Sequence, residues 1–583
     1  METLSENYAL DTKYIQSDLG RYPKRDLLKL CGQLANLIQC KSDADFQKDQ
    51  ALILRSLKEN RWIDEQSFQK LGKRMSSTYN RGVQSALTHR PGLLEFLKWV
   101  CWSASEKESA RLPAPSVHLI RAFLSCTELY GKREIAPTLA PSDSSAPKYL
   151  QFIHRASQLG GQHVDEAFEL GRTSLLLVDE FFCKHPEYQE QFTQAFGITI
   201  HDWLTCHCVP ILTHQQMKGQ FDADLVLGDR FVINAERVMS HAPHMTTIFN
   251  TFLKLISMNV EELVASFGEN SMDSRRVSQR PIRTRPLLAL DESNYIALDR
   301  RFLIENLAVG PIFMLNNKLG SYKPMQDFGA AFQRFAYSMF ERPYKAACQG
   351  AAQFLVDEPP GSTQPLEDII FGSDKTLAIV EVKGVFLHED VPFVSDPADH
   401  LKEILKKYGQ AKGGPKEKPK GVAQICAAIK GLEDGSNLGQ GLGAAANCAS
   451  EIIPVLVVFD QLLADSFFCR ALGDCLVDML SLPRPDEGAH SFTYKRFEIH
   501  KLVVISVRDA EVLANLVPQT TLVDVIKEYS IAVPLRNNTL SQYLKHPSTK
   551  TRWQAKDDLI VTKRAIETID QTRQVCFGDK SLT

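Results

Sequence analysis

The chain has 583 residues, 44% hydrophobic and 23% charged, with a formal net charge of −3. That length exceeds what one hydrophobic core serves and points to roughly three or four domains. The balance of charge excludes a surface that is basic throughout, while leaving room for a basic groove on one face.

The opening "METLSENYALDTKY" lacks a basic region followed by an apolar run, so no secretory signal is expected. Residues 1–134 read as a helical N-terminal domain. In "RDLLKLCGQLANLIQC", Leu27, Leu28, Leu30, Cys31, Leu34, Leu37 and Ile38 recur at helical spacing. "PGLLEFLKWVCWSA" opens on Pro91, which suits a helix start. The aperiodic "APTLAPSDSSAPK" (residues 136–148) reads as a linker or long loop.

A second mainly helical domain is expected over residues 149–267. "DEAFELGRTSLLLVDEFFCKH" and "MTTIFNTFLKLISM" are its clearest helices, and "ADLVLGDRFVI" reads as a hairpin about a Gly-Asp turn. "HDWLTCHCVP" brings His201, Cys206, His207 and Cys208 close together. Cys206 and Cys208 are too close for a usual zinc knuckle and lie in a helical period, which favours core residues. The thirteen cysteines are scattered without repeated spacing, as suits reduced thiols in the cytoplasm. "GENSMDSRRVSQRPIRTRP" (residues 268–286) reads as a mobile connection whose arginines are solvated or touch phosphate.

Residues 286–517 alternate between strands and helices, with the apolar "GPIFML" preceding a helix in "MQDFGAAFQRFAYSMFER". A hairpin follows in "PLEDIIFGSDKTLAIVEVKG". Then come a helix near "PADHLKEILKKYG", a lysine-rich loop "AKGGPKEKPKG" and a helix in "VAQICAAIKGL". The strand "IIPVLVVF", a helix through "SFFCRALGDCLVDML", the strand "KLVVISV" and the helix "DAEVLANLV" complete the stretch. This order predicts an α/β domain with a partly parallel, mixed sheet flanked by helices. Residues 518–583 read as a helical C-terminal segment. The longest apolar runs fall short of the roughly 20 residues that span a bilayer, so no membrane is expected. "GSNLGQGLGAA" lacks the preceding strand of a dinucleotide site, and neither a phosphate-binding P-loop nor a nucleophile elbow occurs.

The hairpin carries the chemistry. Side chains alternate along a strand, so Glu381 and Lys383 share a face and Val382 points to the other. A bend in the hairpin can bring Asp368 beside Glu381. Two adjacent carboxylates repel by about 1 kcal/mol in water at ~4 Å and about 4 at an intermediate dielectric. A divalent cation reverses that sign, and Mg²⁺ prefers a few carboxylates with water and phosphate. A lysine beside them can orient water or stabilise charge on a phosphate. An acid two residues before lysine occurs at Asp11-Thr12-Lys13 and at Glu381-Val382-Lys383, and only the second lies in an apolar β run. The plain alternative is a surface salt pair.

"PLED" followed by "EVK" resembles the PD-(D/E)xK nuclease superfamily, and residues 285–517 are similar to its stand-alone restriction-endonuclease-like members, several of which act in bacterial defence against phage. The resemblance implies a metal-dependent nuclease with Mg²⁺ or Mn²⁺ as cofactor. Asp368, Glu381 and the Val382 carbonyl would be ligands and Lys383 the catalytic lysine. Some members add an acid from the helix before the hairpin, where this chain offers Gln333, with Glu341 the next acid further along. Members often carry a glutamine on the helix after the lysine strand, and Gln424 takes that place. Lys412, Lys416, Lys418 and Lys420 would neutralise phosphates if their loop lies along DNA. DNA is the expected substrate, with RNA left open. A homo-oligomer such as a dimer, or a partner subunit, is the expected assembly. The rival expectation is a degenerate nuclease-like domain in a sensing or scaffold protein that works through its helical domains.

Overall fold

The structure is a computed structural model that describes residues 2–3, 12–38, 43–80, 85–88, 90–106, 114–115, 117–130, 166–221, 227–267, 280–347, 353–357, 368–373, 375–384, 397–409, 419–434, 448–464, 466–483, 490–516, 522–532, 539–545, 549 and 560–577. The chain divides into two compact units. One comprises Met1–Leu170, Glu187–Met314 and Glu567–Thr583, and the other Gly171–Pro186 and Leu315–Ile566.

The first unit is helical around one core. The helices Lys24–Leu37, Arg90–Ser103 and Val117–Tyr130 bury Leu34, Phe96, Trp99 and Phe123 together with Met258, Ile296 and Phe302 from later in the chain. Gly32 permits the close approach, since a Cβ there would lie 2.8 Å from the Ile296 side chain. Arg90 and Asp299 (2.6 Å) and Arg121 and Asp18 (2.5 Å) add charge-assisted hydrogen bonds at the margins. Among the described residues, four short strands make a sheet, the parallel pair being Ser257–Met258 with Leu287–Ala289. The helical segments expected at 1–134 and 149–267 thus share a core, and the segment boundaries do not coincide with the compact units.

Three local expectations change. The hairpin expected at residues 223–233 lies partly outside the described residues, and its second half, Val232–Asn234, pairs with Asn294–Ala297. "GPIFML" lies inside the helix Arg300–Leu319, where it continues the helical spacing of Leu303 and Leu307. The stretch 268–286 is not wholly a connection: Arg280–Thr284 is a short helix that buries Ile282. Arg283 pairs with Glu305 and Arg285 with Glu262, which argues against these two meeting phosphate, while Arg275 and Arg276 lie outside the described residues.

The second unit holds the expected mixed sheet. Its elements in chain order begin with helix α1 (Lys323–Ala347) and strands β1 (Gln353–Asp357), β2 (Ile369–Ser373) and β3 (Thr376–Lys383). Helix α2 (Pro397–Ile404) runs into the wide turn Leu405–Gly409, and helix α3 (Val422–Glu433) leads to strand β4 (Glu451–Val458). Helix α4 (Ser466–Met479) and strands β5 (Ser491–Tyr494), β6 (Phe497–His500) and β7 (Val503–Ser506) follow. Helices α5 (Val507–Leu513) and α6 (Leu522–Ile531) close the run.

Among the described residues, seven strands form this sheet in the order β5-β6-β4-β3-β2-β1, with β7 also on β4. The meander β1-β2-β3 is antiparallel, and β3, β6 and β7 run parallel to β4. β4 is buried from Ile452 to Val458, as a strand covered on both faces should be. Its Pro454 has no N–H to give and falls between the stretch paired with β6 and the stretch paired with β7. Parallel pairing of β3 with β4 requires the long crossover through α2 and α3. That crossover sets the start of α3 beside the end of β3.

Candidate active site

Asp368, Glu381, Lys383 and Gln424 converge at the end of the β2-β3 hairpin. The ladder pairs Ile369 with Val380, and one further step of that register sets Asp368 opposite Glu381. Directly opposed residues have Cβ atoms about 4.5–5.5 Å apart. Both carboxylates are buried, Glu381 at 0% and Asp368 at 9% exposure.

Each carboxylate is held by a different kind of partner. Asp368 Oδ2 accepts from the Val382 N–H at 2.6 Å, and Asp368 Oδ1 accepts from Gln333 Nε2 at 2.7 Å. Glu381 Oε1 accepts from Lys383 Nζ. Lys383 Nζ also donates to Gln424 Oε1 at 2.9 Å. The same Gln424 oxygen takes the Gly421 N–H at 3.1 Å, one of the donors left open at the start of α3. A helix-capping amide thus also fixes the lysine head group.

The backbone explains why these groups meet. Gly421 has φ +59°, and a Cβ there would lie 2.0 Å from the Tyr408 carbonyl oxygen, so the entry to α3 admits glycine alone. At the end of β3, a Cβ on Gly384 would lie 2.9 Å from Phe332 Cβ and 3.0 Å from Gly329 Cα. This close approach of α1 lets Gln333, one turn past Gly329, reach Asp368. The Val382 N–H points toward β2, and N–H and C=O of one strand residue face the same side. The Val382 carbonyl therefore also faces the β2 edge, beyond the last ladder pair, while the Lys383 carbonyl turns to β4 and accepts from Phe459 N–H at 3.3 Å.

The sequence-expected residues fare differently by region. Gln333 stands at the site, on the helix to which the resemblance pointed. Lys420 is exposed just before Gly421, whereas Lys412, Lys416 and Lys418 lie outside the described residues, as does "GSNLGQGLGAA". Among the described residues, no group of three or more His, Cys, Asp and Glu side chains converges as a metal set. The oxygens at hand, from Asp368, Glu381 and the Val382 carbonyl, still match the hard donor set of Mg²⁺ or Mn²⁺, which needs few protein ligands.

Two other clusters have structural roles. His207 is fully buried, and its ring lies 4.5 Å from that of Trp203 and 4.7 Å from that of Phe252. Burial pulls its pKa down to about 3 and pushes Cys208 up to about 12, the pattern of a neutral core cluster. At the far end of β4, which sequence reasoning passed over, His500 Nδ1 lies 3.1 Å from Ser530 Oγ. That hydroxyl is fully buried and donates to the Lys527 carbonyl at 2.6 Å, leaving it to accept from His500, the wrong polarity for a nucleophile.

No helix among the described residues is long and apolar enough to cross a membrane. Scans against protein-family models, the curated proteins and the solved structures each find no match to the chain.

Proposed function

We propose that the second unit is a divalent-metal-dependent nuclease that hydrolyses phosphodiester bonds, with DNA as its substrate. The observation that carries this reading is the meeting of two buried carboxylates with a lysine at one hairpin end, the lysine being braced from a separate helix. Burying like charges side by side costs stability, and a hydrophobic hairpin would fold better without them. A cation-binding role explains their retention.

Asp368, Glu381 and the Val382 carbonyl would hold Mg²⁺ or Mn²⁺, which when bound supplies Lewis-acid polarisation of a phosphoryl oxygen and acidifies bound water. The remaining work falls to the chain's own groups. Lys383 has three N–H donors, two of which serve Glu381 and Gln424. The third is suited to a phosphate oxygen or an attacking water, placing a fixed positive charge where negative charge develops. Gln333 and the Val382 N–H hold the Asp368 carboxylate in one orientation. The exposed Lys420, next to the helix that carries Gln424, is placed to meet a backbone phosphate. Defence against phage or other foreign DNA, as a homodimer or with a partner subunit, is the setting drawn from the family resemblance.

The test is cleavage of linear and supercoiled DNA by the purified full chain with Mg²⁺ or Mn²⁺, beside Lys383→Ala. The expected result is metal-dependent cutting that the substitution reduces by about a thousandfold, the scale of one electrostatic stabiliser. Failure of the wild type to cut any nucleic acid with any divalent ion, or equal cutting by the variant, refutes the reading.

A further inference from the structure

The donor and charge balance at the hairpin end fixes how many ions it takes. The Asp368 carboxylate can only accept hydrogen bonds, so the Gln333 atom 2.7 Å away must be the amide nitrogen. An N–H donor therefore faces Asp368 on its α1 side. At that contact Asp368 meets a neutral amide rather than the acid that would add a ligand. Glu381 Oε1 is likewise shared with the Lys383 ammonium.

Charge gives the same count. Among the described residues the cluster holds two carboxylates and one ammonium, a formal sum of one negative charge. One divalent ion brings the sum to a single positive charge, which one phosphate balances. Two would leave three positive charges around a buried Glu381, and repulsion between unit charges ~4 Å apart is about 4 kcal/mol even at an effective dielectric of 20.

We propose that this centre binds a single divalent cation, and that Gln333 is a positioning residue whose amide orients Asp368 toward that ion. The inference rests on the metal-dependent reading above and adds its stoichiometry. Metal sites are sensitive to such outer partners, whose loss costs about 10–100-fold in affinity.

The experiment is a Mn²⁺ titration of the full chain by calorimetry, with low-temperature electron paramagnetic resonance of the loaded protein and no nucleic acid present. The expected result is one ion per chain, lost in Asp368→Asn, with the spectrum of an isolated Mn²⁺. Gln333→Leu should keep the stoichiometry of one and weaken affinity about tenfold or more. Two ions per chain, both lost in Asp368→Asn, or the spectrum of an exchange-coupled pair, overturns the inference alone. An unchanged affinity in Gln333→Leu overturns the positioning role. Absence of any Mn²⁺ binding that depends on Asp368 and Glu381 instead removes the metal-dependent reading on which the inference stands. The wild-type stoichiometry is decisive even if a variant fails to fold.

Discussion

Replacing Lys383 with methionine separates a functional cluster from an incidental salt pair. Methionine keeps most of the stem and removes the ammonium. Glu381, at 0% exposure, then stands opposite Asp368 with the Lys383 ammonium gone. Two carboxylates ~5 Å apart at an effective dielectric of 20 repel by about 3 kcal/mol. Stripping one partner from a buried pair costs about 3–5 kcal/mol, and the 17% exposure of the Lys383 side chain argues for the lower end. The expected loss is about 3 kcal/mol, read from urea unfolding of the metal-free protein at about pH 8. Adding Glu381→Gln to the variant should recover most of the loss. No measurable loss, or one that the second substitution deepens, refutes the claim that Lys383 offsets a buried carboxylate pair.

Four further outcomes follow from named contacts. Gly421→Ala forces a side chain into a left-handed residue and onto the Tyr408 carbonyl, so stability should fall by more than about 2 kcal/mol in denaturant titration, with activity lost alongside. Gln424→Leu removes one of the partners that brace Lys383, and should lower cleavage about 10–100-fold in a steady-state assay while moving the melting temperature by a few degrees at most. Gly384→Val presses on Phe332 and Gly329, and should weaken Mn²⁺ binding in calorimetry by moving α1 and its Gln333. His207 titrates near 3 when folded and near 6.5 when unfolded, so its contribution is fully present above pH 6.5 and is lost as pH falls toward 3. The loss is about 2 kcal/mol by pH 5, and His207→Leu should flatten that acid limb when unfolding is followed by tryptophan fluorescence, because the Trp203 ring lies 4.5 Å from it.

What was legible in the sequence followed local periodicity. The period of two set Glu381 and Lys383 on one face, while the resemblance pointed to Gln333, which reaches Asp368. Gln424 lies 41 residues beyond Lys383, and its contact depends on a crossover whose middle carries no period of its own. Only the resemblance pointed to it. Where tertiary packing decides, local reading failed. "GPIFML" is apolar enough for a strand, yet the helix begun at Arg300 runs through its Gly310-Pro311 pair, with Leu303, Leu307, Ile312 and Leu315 buried along it. Val232–Asn234 pairs with a strand that begins 60 residues beyond Asn234, which no local pattern announces. The boundaries at residues 134 and 286 followed composition, whereas Gly32 against Ile296 joins the segments on either side into one core. Glycine at 32 carried no signal, since only the packed structure shows what a Cβ would strike.

The central claim is that the carboxylates at the hairpin end serve a cation that acts on a phosphodiester. The most direct measurement is Mn²⁺-dependent nicking of supercoiled plasmid by the full chain and by Glu381→Gln, a change that keeps the shape of the side chain and removes its charge. The account predicts that the wild type converts plasmid to nicked and linear forms only with the metal, and that Glu381→Gln neither cuts nor gains thermal stability from Mn²⁺. Plasmid left intact by a wild type that is folded and metal-loaded, or cut to the same extent by Glu381→Gln, would contradict it.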